Sequence, residues 1–200
     1  QVSAVSRHSS VGEAAESENG DAGEQVSASS RHSSGAAIEF LALGGDGVPT
    51  DEDVAAALAA VDGTFAAMVA AAEGGDVGVA VQSLAAARIL CGHRDGPFGV
   101  SRWNRHIEAR LGVAAQASAI NPAYIGRPLL ATRNDIRTGV SNGDTGVIVD
   151  ETVDGRNVRR AVFDRGGGDV RRVGLAELDE PLTAYAVTIH RTQGSEFDTV

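Results

Sequence analysis

A polar run near the carboxyl end of the chain has the residue types and the setting of a binding site. The run Thr188-Ile189-His190-Arg191-Thr192-Gln193-Gly194-Ser195-Glu196-Phe197 follows the apolar residues Ala184-Tyr185-Ala186-Val187. Alternation across Tyr185, Val187 and Ile189 predicts a β-strand, and Gln193-Gly194-Ser195 predicts a turn that exposes backbone N–H groups. Because ligands bind at strand ends in open α/β sheets, the strand and turn together indicate a ligand site.

Helices and a further strand are predicted upstream, and they would hold this site in place. Thr50 with Asp53 matches a capping box before an Ala-rich helix, and a second helix is predicted from Thr64 to Gly74-Gly75. The next strand is predicted at residues 87–91. It is followed by a helix with one apolar face, formed by Val100, Trp103, Ile107 and Leu111. We expect Trp103 to lie in the core.

Residues 126–180 have the sequence pattern of a small all-β unit. Short apolar runs occur at 129–131, 146–149, 158–163 and 170–175, and turn residues separate them. Asp154-Gly155 between two such runs predicts a tight hairpin. Short strands joined by tight turns favour a small SH3-like β-barrel.

Three segments, in the same order along the chain, resemble the RecD-like superfamily 1 DNA helicases, the family of the exodeoxyribonuclease V alpha subunit. Residues 184–197 resemble helicase motif V of that family. Residues 126–135 with 142–148 are similar to the start of a β-barrel that the family inserts in its second motor domain. Residues 89–94 with 96–100 and 103–104 also match the family pattern. Several ordered matches are more specific than any single motif.

The resemblance implies an α/β fold and a domain organisation. Residues 36–125 and 181–200 would be parts of an incomplete second RecA-like (P-loop NTPase-type) motor domain, and residues 126–180 would be the inserted SH3-like β-barrel. Residues 1–35 are expected to be low-complexity or disordered. They contain a short duplication, since residues 1–10 nearly recur as residues 25–34.

The resemblance also implies roles for single residues. Thr188 and His190 would contact a DNA backbone phosphate, and Arg133 and Asn134 in the matching barrel segment would bind DNA. Gln193, Gly194 and Glu196 would face the nucleotide. Arg31 would be the motif IV arginine that reaches the ATP γ-phosphate, although its duplicate Arg7 competes for that assignment. No metal site is expected in this chain.

The charge distribution is uneven for a DNA-binding chain. The net charge is −10, but residues 101–200 hold 13 Arg against 13 Asp and Glu, while residues 1–100 hold 4 Arg against 14 acids. Six arginines fall within the expected barrel, where they would suit a surface that tracks DNA phosphates or would form an ordinary solvated face: Arg156, Arg159, Arg160, Arg165, Arg171 and Arg172.

The sequence also lacks parts that an ATP-hydrolysing motor needs. It contains no Lys, and therefore no Gly-x-x-x-x-Gly-Lys-Ser/Thr phosphate loop, and no Asp-Glu pair of Walker B type follows an apolar strand. We therefore expect a fragment of a longer helicase, inactive alone. ATP and Mg²⁺ would be bound by the full-length protein and not by the fragment. Its one cysteine, Cys91, is expected to be a buried small hydrophobe.

The expected function is part of an ATP-dependent, 5′-to-3′ DNA helicase acting on single-stranded DNA in recombination and double-strand-break repair. Its expected partners are single-stranded DNA and RecB/RecC-like subunits. No membrane segment or signal pattern is present, so a cytoplasmic location is expected. Two alternatives remain: a non-catalytic nucleic-acid-binding module from a decayed motor, and a relaxase-type helicase.

Overall fold

The computed structural model describes residues 3–8, 36–41, 48–113, 123–192 and 197–200, with the backbone alone for the first two ranges. Its helices are α1 (Asp51–Leu58), α2 (Asp62–Glu73), α3 (Val77–Ala86) and α4 (Val100–Arg110). Its strands are β1 (Ser3–His8), β2 (Ala36–Leu41), β3 (Ile89–Cys91), β4 (Pro128–Leu130), β5 (Thr145–Val153), β6 (Arg156–Gly166), β7 (Asp169–Gly174), β8 (Leu182–Thr183) and β9 (Ala186–Thr188).

The first two helices are confirmed. Thr50 caps α1 through a complete capping box, in which its hydroxyl accepts from the Asp53 backbone N–H at 3.2 Å. Gly74 ends α2, as expected. Within the described ranges no single helix is long and apolar enough to span a membrane; α1 and α2 pass that test only as a pair, and they are bent by 70° at their break.

Helix α3 was not predicted from the sequence. Its first residues, Val77-Gly78-Val79, are poor helix formers, since β-branched side chains and glycine both disfavour a helix. The Asp76 side chain nevertheless caps the helix by accepting from the Val79 N–H at 3.1 Å. Burial of Ala80, Val81 and Leu84 stabilises the helix further, so tertiary packing overrides local propensity here.

A parallel pair of strands lies under α4. β3 and β9 run parallel, with Ile89 opposite Ala186 and Cys91 opposite Thr188, so both strands end at the same edge. The predicted strand at residues 87–91 is therefore confirmed, with Ala87 forming a parallel bridge to Thr199 on a further segment. Trp103 is 3% exposed in α4, which confirms its place in the core.

The strand predicted around Tyr185, Val187 and Ile189 is shorter than its alternation suggested. β9 ends at Thr188, and residues Ile189–Arg191 form a 3₁₀ turn in which Ile189 is 54% exposed. Residues 184–187 are all buried, because the strand is covered on both faces. Parallel strands buried on both faces carry continuous apolar runs, so the predicted strand is confirmed over Ala186–Thr188, but its alternation does not mark one buried and one exposed face.

The predicted β-rich region forms a five-stranded antiparallel sheet in the order β7-β6-β5-β4-β8. The Asp154-Gly155 hairpin is confirmed, since both residues have positive φ (50° and 74°) and Val153 pairs with Arg156 across a two-residue loop. β7 and β8 are the two edges of this sheet. Its closure into an SH3-like barrel remains a prediction.

The sheet shares its core with the helices. Val147, Val149 and Val162 on one face join the hydrophobic cluster that contains Phe65, Trp103 and the other buried residues of the helices. The opposite face, with Leu129, Ile148, Ala161, Phe163 and Val173, encloses a second, smaller cluster. The sheet and the helices therefore share one hydrophobic cluster, while the division into a motor domain and an inserted barrel stays a prediction.

The amino-terminal region contributes one described feature. β1 pairs antiparallel with β2, with Arg7 opposite Ala37, so a stretch of the segment expected to be low-complexity or disordered is a strand. Arg31 lies outside the described residues, and its assignment as the motif IV arginine stays a prediction.

Candidate functional site: an arginine-rimmed cleft

A cleft of about 280 Å³ lies beside the carboxyl end of β9. α4 forms one wall with Val100, Ser101, Asn104, Arg105 and Glu108, and β8 and β9 contribute residues from Leu182 to Thr188. Leu130 and Val187 give the cleft an apolar floor, while hydroxyl and guanidinium groups surround its opening. A concave site with an apolar floor and a few converging polar groups is the usual form of a ligand site.

Asn104 fixes the strand end against α4. This residue is 8% exposed, and its side-chain amide donates to the carbonyls of Thr183 (3.2 Å) and Ala186 (3.3 Å). Its carbonyl oxygen accepts from the Ala186 N–H at 3.0 Å. The backbone N–H and carbonyl of Ala186 are thereby both bonded to one side chain from α4, which fixes the strand just before Thr188 at the cleft.

Three exposed arginines give the opening its charge: Arg94, Arg105 and Arg191. Among the residues that the structure describes, none of the three takes part in an ion pair, whereas Arg110, Arg133, Arg137, Arg159, Arg165 and Arg172 all do. Guanidinium groups bind phosphate and carboxylate through two parallel hydrogen bonds. The cleft therefore presents cationic donors that are available to an incoming anion.

Glu108 is the one carboxylate among the described lining residues. Its Oε1 accepts a hydrogen bond from the Tyr124 hydroxyl at 2.8 Å. Burial raises the pKa of Glu108, and the hydrogen bond from Tyr124 and the charges of Arg127 and Arg105 offset part of this rise. Burial also raises the pKa of Tyr124, so the phenol remains a hydrogen-bond donor at neutral pH.

The predicted motif V residues are only partly brought together at this cleft. Thr188 lines it, and His190 is exposed on the adjoining 3₁₀ turn. Gln193, Gly194 and Glu196 lie outside the described residues, so their contacts with a nucleotide stay predictions.

The predicted DNA contacts Arg133 and Asn134 do not line the cleft. Arg133 is exposed and pairs with Asp179 at 3.1 Å. The Asn134 side chain accepts from the Asn142 backbone N–H at 2.8 Å, which shapes the loop before β5. A structural role thus accounts for each of these contacts, while a role in DNA binding remains a prediction.

Half of the arginines on the five-stranded sheet are neutralised by nearby acids. Arg159 contacts Asp150 at 2.9 Å, Arg165 contacts Asp144 at 3.4 Å, and Arg172 contacts Glu151 at 2.9 Å. The ordinary solvated face therefore accounts for these three better than a phosphate-tracking surface does.

Sequence reasoning missed the roles of Arg94, Asn104 and Arg105 in the cleft. Arg94 and Asn104 lie in the segments that carry the family resemblance, so their sequence signal was present without a role attached. Arg105 lies outside the apolar face of α4, so the sequence predicted only that its side chain is exposed. Their convergence depends on how α4 packs against β9.

Cys91 and the acidic residues do not form a reactive or metal site in the described regions. Cys91 is buried, as expected, and burial raises the pKa of its thiol to about 11, so it stays protonated at neutral pH. In the same parts of the chain, no three His, Cys, Asp or Glu side chains are grouped so as to hold a metal ion.

Sequence comparison places the chain among known proteins. No protein-family model matches it. It is 43% identical over 122 residues to the RecBCD enzyme subunit RecD of Mycobacterium tuberculosis, and 41% identical over 126 residues to that of Mycolicibacterium smegmatis. It is 33% identical over 117 residues to the ATP-dependent RecD2 DNA helicase of Deinococcus radiodurans.

These matches cover 61%, 63% and 58% of the chain, but only 20%, 21% and 16% of the respective relatives. The chain thus spans about a fifth of the length of the curated RecD proteins it matches. The matches agree with the helicase family indicated by the motifs at residues 89–104, 126–148 and 184–197. The chain is therefore RecD-like, in that it is similar to one segment of these RecD-type helicases.

Proposed function

We propose that this chain is part of an ATP-dependent DNA helicase and that its arginine-rimmed cleft holds the sugar–phosphate backbone of single-stranded DNA. The observation that carries this proposal is the set Arg94, Arg105 and Arg191, which surround the cleft with no ion pair among the described residues. Phosphate contacts by such groups supply most of the affinity for single strands.

The rest of the cleft suits a single strand. The Thr188 hydroxyl lies at the same opening, where it can donate to a phosphate oxygen. His190 on the neighbouring turn is exposed. The apolar floor at Leu130 and Val187 offers contact to a sugar or base, so one nucleotide can use both the polar rim and the floor.

The activity of the whole protein extends this proposal. The relatives are named as RecBCD subunits and as an ATP-dependent DNA helicase. By this similarity, the whole protein would bind ATP and Mg²⁺, move 5′ to 3′ on single-stranded DNA, and act in the cytoplasm in recombination and double-strand-break repair with RecB/RecC-like subunits. The described fold would form part of a second RecA-like domain with an SH3-like barrel, and Arg31, Gln193, Gly194 and Glu196 would face the nucleotide.

The residues of this chain do not fit ATP binding by the chain alone. The chain has no Lys for a phosphate loop, and its described residues form no cluster that could hold Mg²⁺. We therefore expect ATP hydrolysis only when a complementary domain supplies those groups. A non-catalytic DNA-binding module shares the same cleft, so binding and hydrolysis need separate tests.

DNA binding is tested by removing one rim charge. Arg94→Met keeps the length of the side chain and removes its cation, and we expect the affinity for a fluorescent oligothymidylate to fall about tenfold. The slope of log affinity against log salt should decrease by about 0.7, the value for one phosphate contact on a single strand. Arg172→Met removes the same charge from a site already paired with Glu151 and serves as the matched control.

If the two variants lose the same oligothymidylate affinity, the loss comes from the change in net charge, and the cleft is not the DNA-binding site. Fluorescence anisotropy over a range of salt concentrations measures both quantities.

The helicase activity is tested in the full-length protein. His190→Ala should abolish ATP hydrolysis stimulated by single-stranded DNA, since His190 follows the end of β9 within the segment that resembles motif V. His93→Ala, at an exposed histidine outside the cleft lining, is the control. Undiminished stimulation in His190→Ala would reject the assigned role, and DNA binding without any ATP hydrolysis by the unmodified protein would favour the non-catalytic module.

A further inference from the structure

A second, smaller cavity of about 160 Å³ borders the cleft and shares Leu130, Val187 and Arg191 with it. Its remaining described lining includes Arg88, Thr145 and Phe197. This volume is below the roughly 300 Å³ at which pockets begin to hold drug-sized molecules, so the cavity suits a single small group.

Arg88 makes this cavity unusual, because its guanidinium is buried without a carboxylate. The residue is 2% exposed and donates to the backbone carbonyls of Ala184 and Leu84, the latter at 3.3 Å. Its guanidinium carbon lies 5.3 Å from the centre of the Phe197 ring. In the described parts of the chain, no acidic side chain forms an ion pair with it.

The charge of Arg88 persists in this setting. Burial lowers the pKa of Arg88 to about 10, which still leaves it protonated at neutral pH. A guanidinium has five N–H donors, and the two carbonyls and the ring neutralise none of its charge. Buried charges are normally paired with an opposite charge, since a lone buried ion is costly to desolvate.

We propose that this cavity is a second anion site, in which Arg88, Arg191 and the Thr145 hydroxyl bind one phosphate group carried by a nucleotide or by a nucleic acid strand. Arg88 supplies a fixed cation from the wall. Arg191 is exposed and lines both the cavity and the cleft, so it contributes to binding at both places. Thr145 begins β5 and offers a hydroxyl donor from the sheet. This inference does not depend on the cleft holding DNA.

The proposal predicts a distinct pattern among three arginine variants of the full chain. Inorganic phosphate is the probe, titrated by calorimetry against sodium chloride of equal ionic strength. Arg88→Met and Arg191→Met should each weaken phosphate binding about tenfold, the loss of one charged hydrogen-bonding group. Arg172→Met, at a residue that lines neither the cleft nor the cavity and is paired with Glu151, should leave phosphate binding unchanged.

A second variant keeps the test decisive if Arg88→Met does not fold. Thr145→Val preserves the shape of the side chain and removes its hydroxyl, and it should weaken phosphate binding about threefold to tenfold. Circular dichroism shows whether each variant is folded. Phosphate affinity unchanged in folded Arg88→Met, or in Thr145→Val where Arg88→Met is unfolded, would overturn the proposal.

Competition identifies the source of the phosphate group. Displacement of phosphate by ADP assigns the cavity to a nucleotide, and displacement by oligothymidylate assigns it to a nucleic acid strand. Displacement by neither overturns the proposal. Weaker oligothymidylate binding in Arg94→Met tests the cleft, and weaker phosphate binding in Arg88→Met or Thr145→Val tests the cavity, so failure of one proposal is distinguishable from failure of the other.

Discussion

The cleft and the five-stranded sheet both carry arginines, but half of the sheet's arginines have an acidic partner, whereas those at the cleft have none among the described residues. On the sheet, Arg159 lies directly across the strand pair from Asp150 and contacts it at 2.9 Å, and Arg172 contacts Glu151 at the same distance. At the cleft, Arg94 and Arg191 have no such partner among the described residues.

The difference shows that arginine content is a poor guide to a phosphate site and that pairing is a better one. A cross-strand ion pair at the surface contributes about 0–1 kcal/mol to stability and uses the charge locally. An arginine with no acidic neighbour has a guanidinium that is available to bind an anionic ligand. The smaller set of arginines at the cleft is therefore the better candidate for binding DNA.

The largest expected effect tests whether the sheet and the cleft are separate units at all. Phe163→Ala removes a fully buried ring from the sheet and should lower the free energy of unfolding by about 3–5 kcal/mol. Because the other face of the sheet shares a core with the helices, we expect unfolding in a single transition. Trp103, the only tryptophan, reports on the cleft side by its fluorescence during urea denaturation.

In Phe163→Ala, circular dichroism could show loss of the sheet while Trp103 fluorescence still changes at the urea midpoint of the unmodified protein. That result would mean that the sheet and the helices do not unfold together. Val48→Ala, at an exposed position, is the control substitution and should change stability by less than about 0.5 kcal/mol.

An intermediate effect is expected at the amide that holds the cleft together. Asn104→Ala removes three hydrogen bonds to the backbone of Thr183 and Ala186 and leaves these buried groups without partners. We expect the free energy of unfolding to fall by about 2–4 kcal/mol, as measured by urea denaturation. Oligothymidylate affinity should fall as well, because the end of β9 is no longer fixed.

The matched control on the sheet is Asn157→Ala. Asn157 is exposed and accepts one hydrogen bond from the Thr152 hydroxyl at 3.2 Å, so its loss should cost less than about 0.5 kcal/mol. If Asn104→Ala and Asn157→Ala lower the free energy of unfolding by similar amounts, the hydrogen bonds of Asn104 are no more important to stability than that of Asn157 on the sheet.

The smallest expected effect concerns the carboxylate inside the cleft. A raised folded-state pKa means that the contribution of Glu108 to stability is fully present below the usual glutamate range and is lost as the pH rises through its raised pKa. At neutral pH, Glu108→Gln should therefore leave stability unchanged or raise it by less than about 1 kcal/mol, with the advantage shrinking as the pH falls. Removal of the negative charge should raise oligothymidylate affinity about threefold.

Glu73→Gln is the control, since Glu73 is exposed at the end of α2 and away from the cleft. Unfolding free energies compared at several pH values check the first expectation, and anisotropy checks the second. A drop in affinity for Glu108→Gln would place the DNA elsewhere.

Much of the local structure follows from short-range signals. The Thr50 capping box, the Gly74 helix end and the Asp154-Gly155 hairpin were all predictable, because caps and turns depend on residues only a few positions apart. Helix α3 was not, because its Val-Gly-Val start opposes a helix and only packing against its neighbours stabilises it.

The candidate site was less accessible to prediction. Thr188 was placed at a ligand site because it follows an apolar strand, and the structure does put it in the cleft. Arg133 was named by resemblance alone; the structure pairs it with Asp179, and its role in DNA binding stays a prediction. The role of Asn104 had no signal of its own, since a buried asparagine is recognisable only from the backbone groups that it meets.

The amino-acid sequence by itself determined several helix caps and turns and the protein family that the chain resembles, because these depend on residues a few positions apart and on ordered motifs. The tertiary structure alone decided which arginines keep their charge available. Arg94 and Arg191 meet at one cleft only because β3 and β9 run parallel and end at the same edge. Ion pairing depends on distance in space, and the order of residues along the chain does not specify that distance.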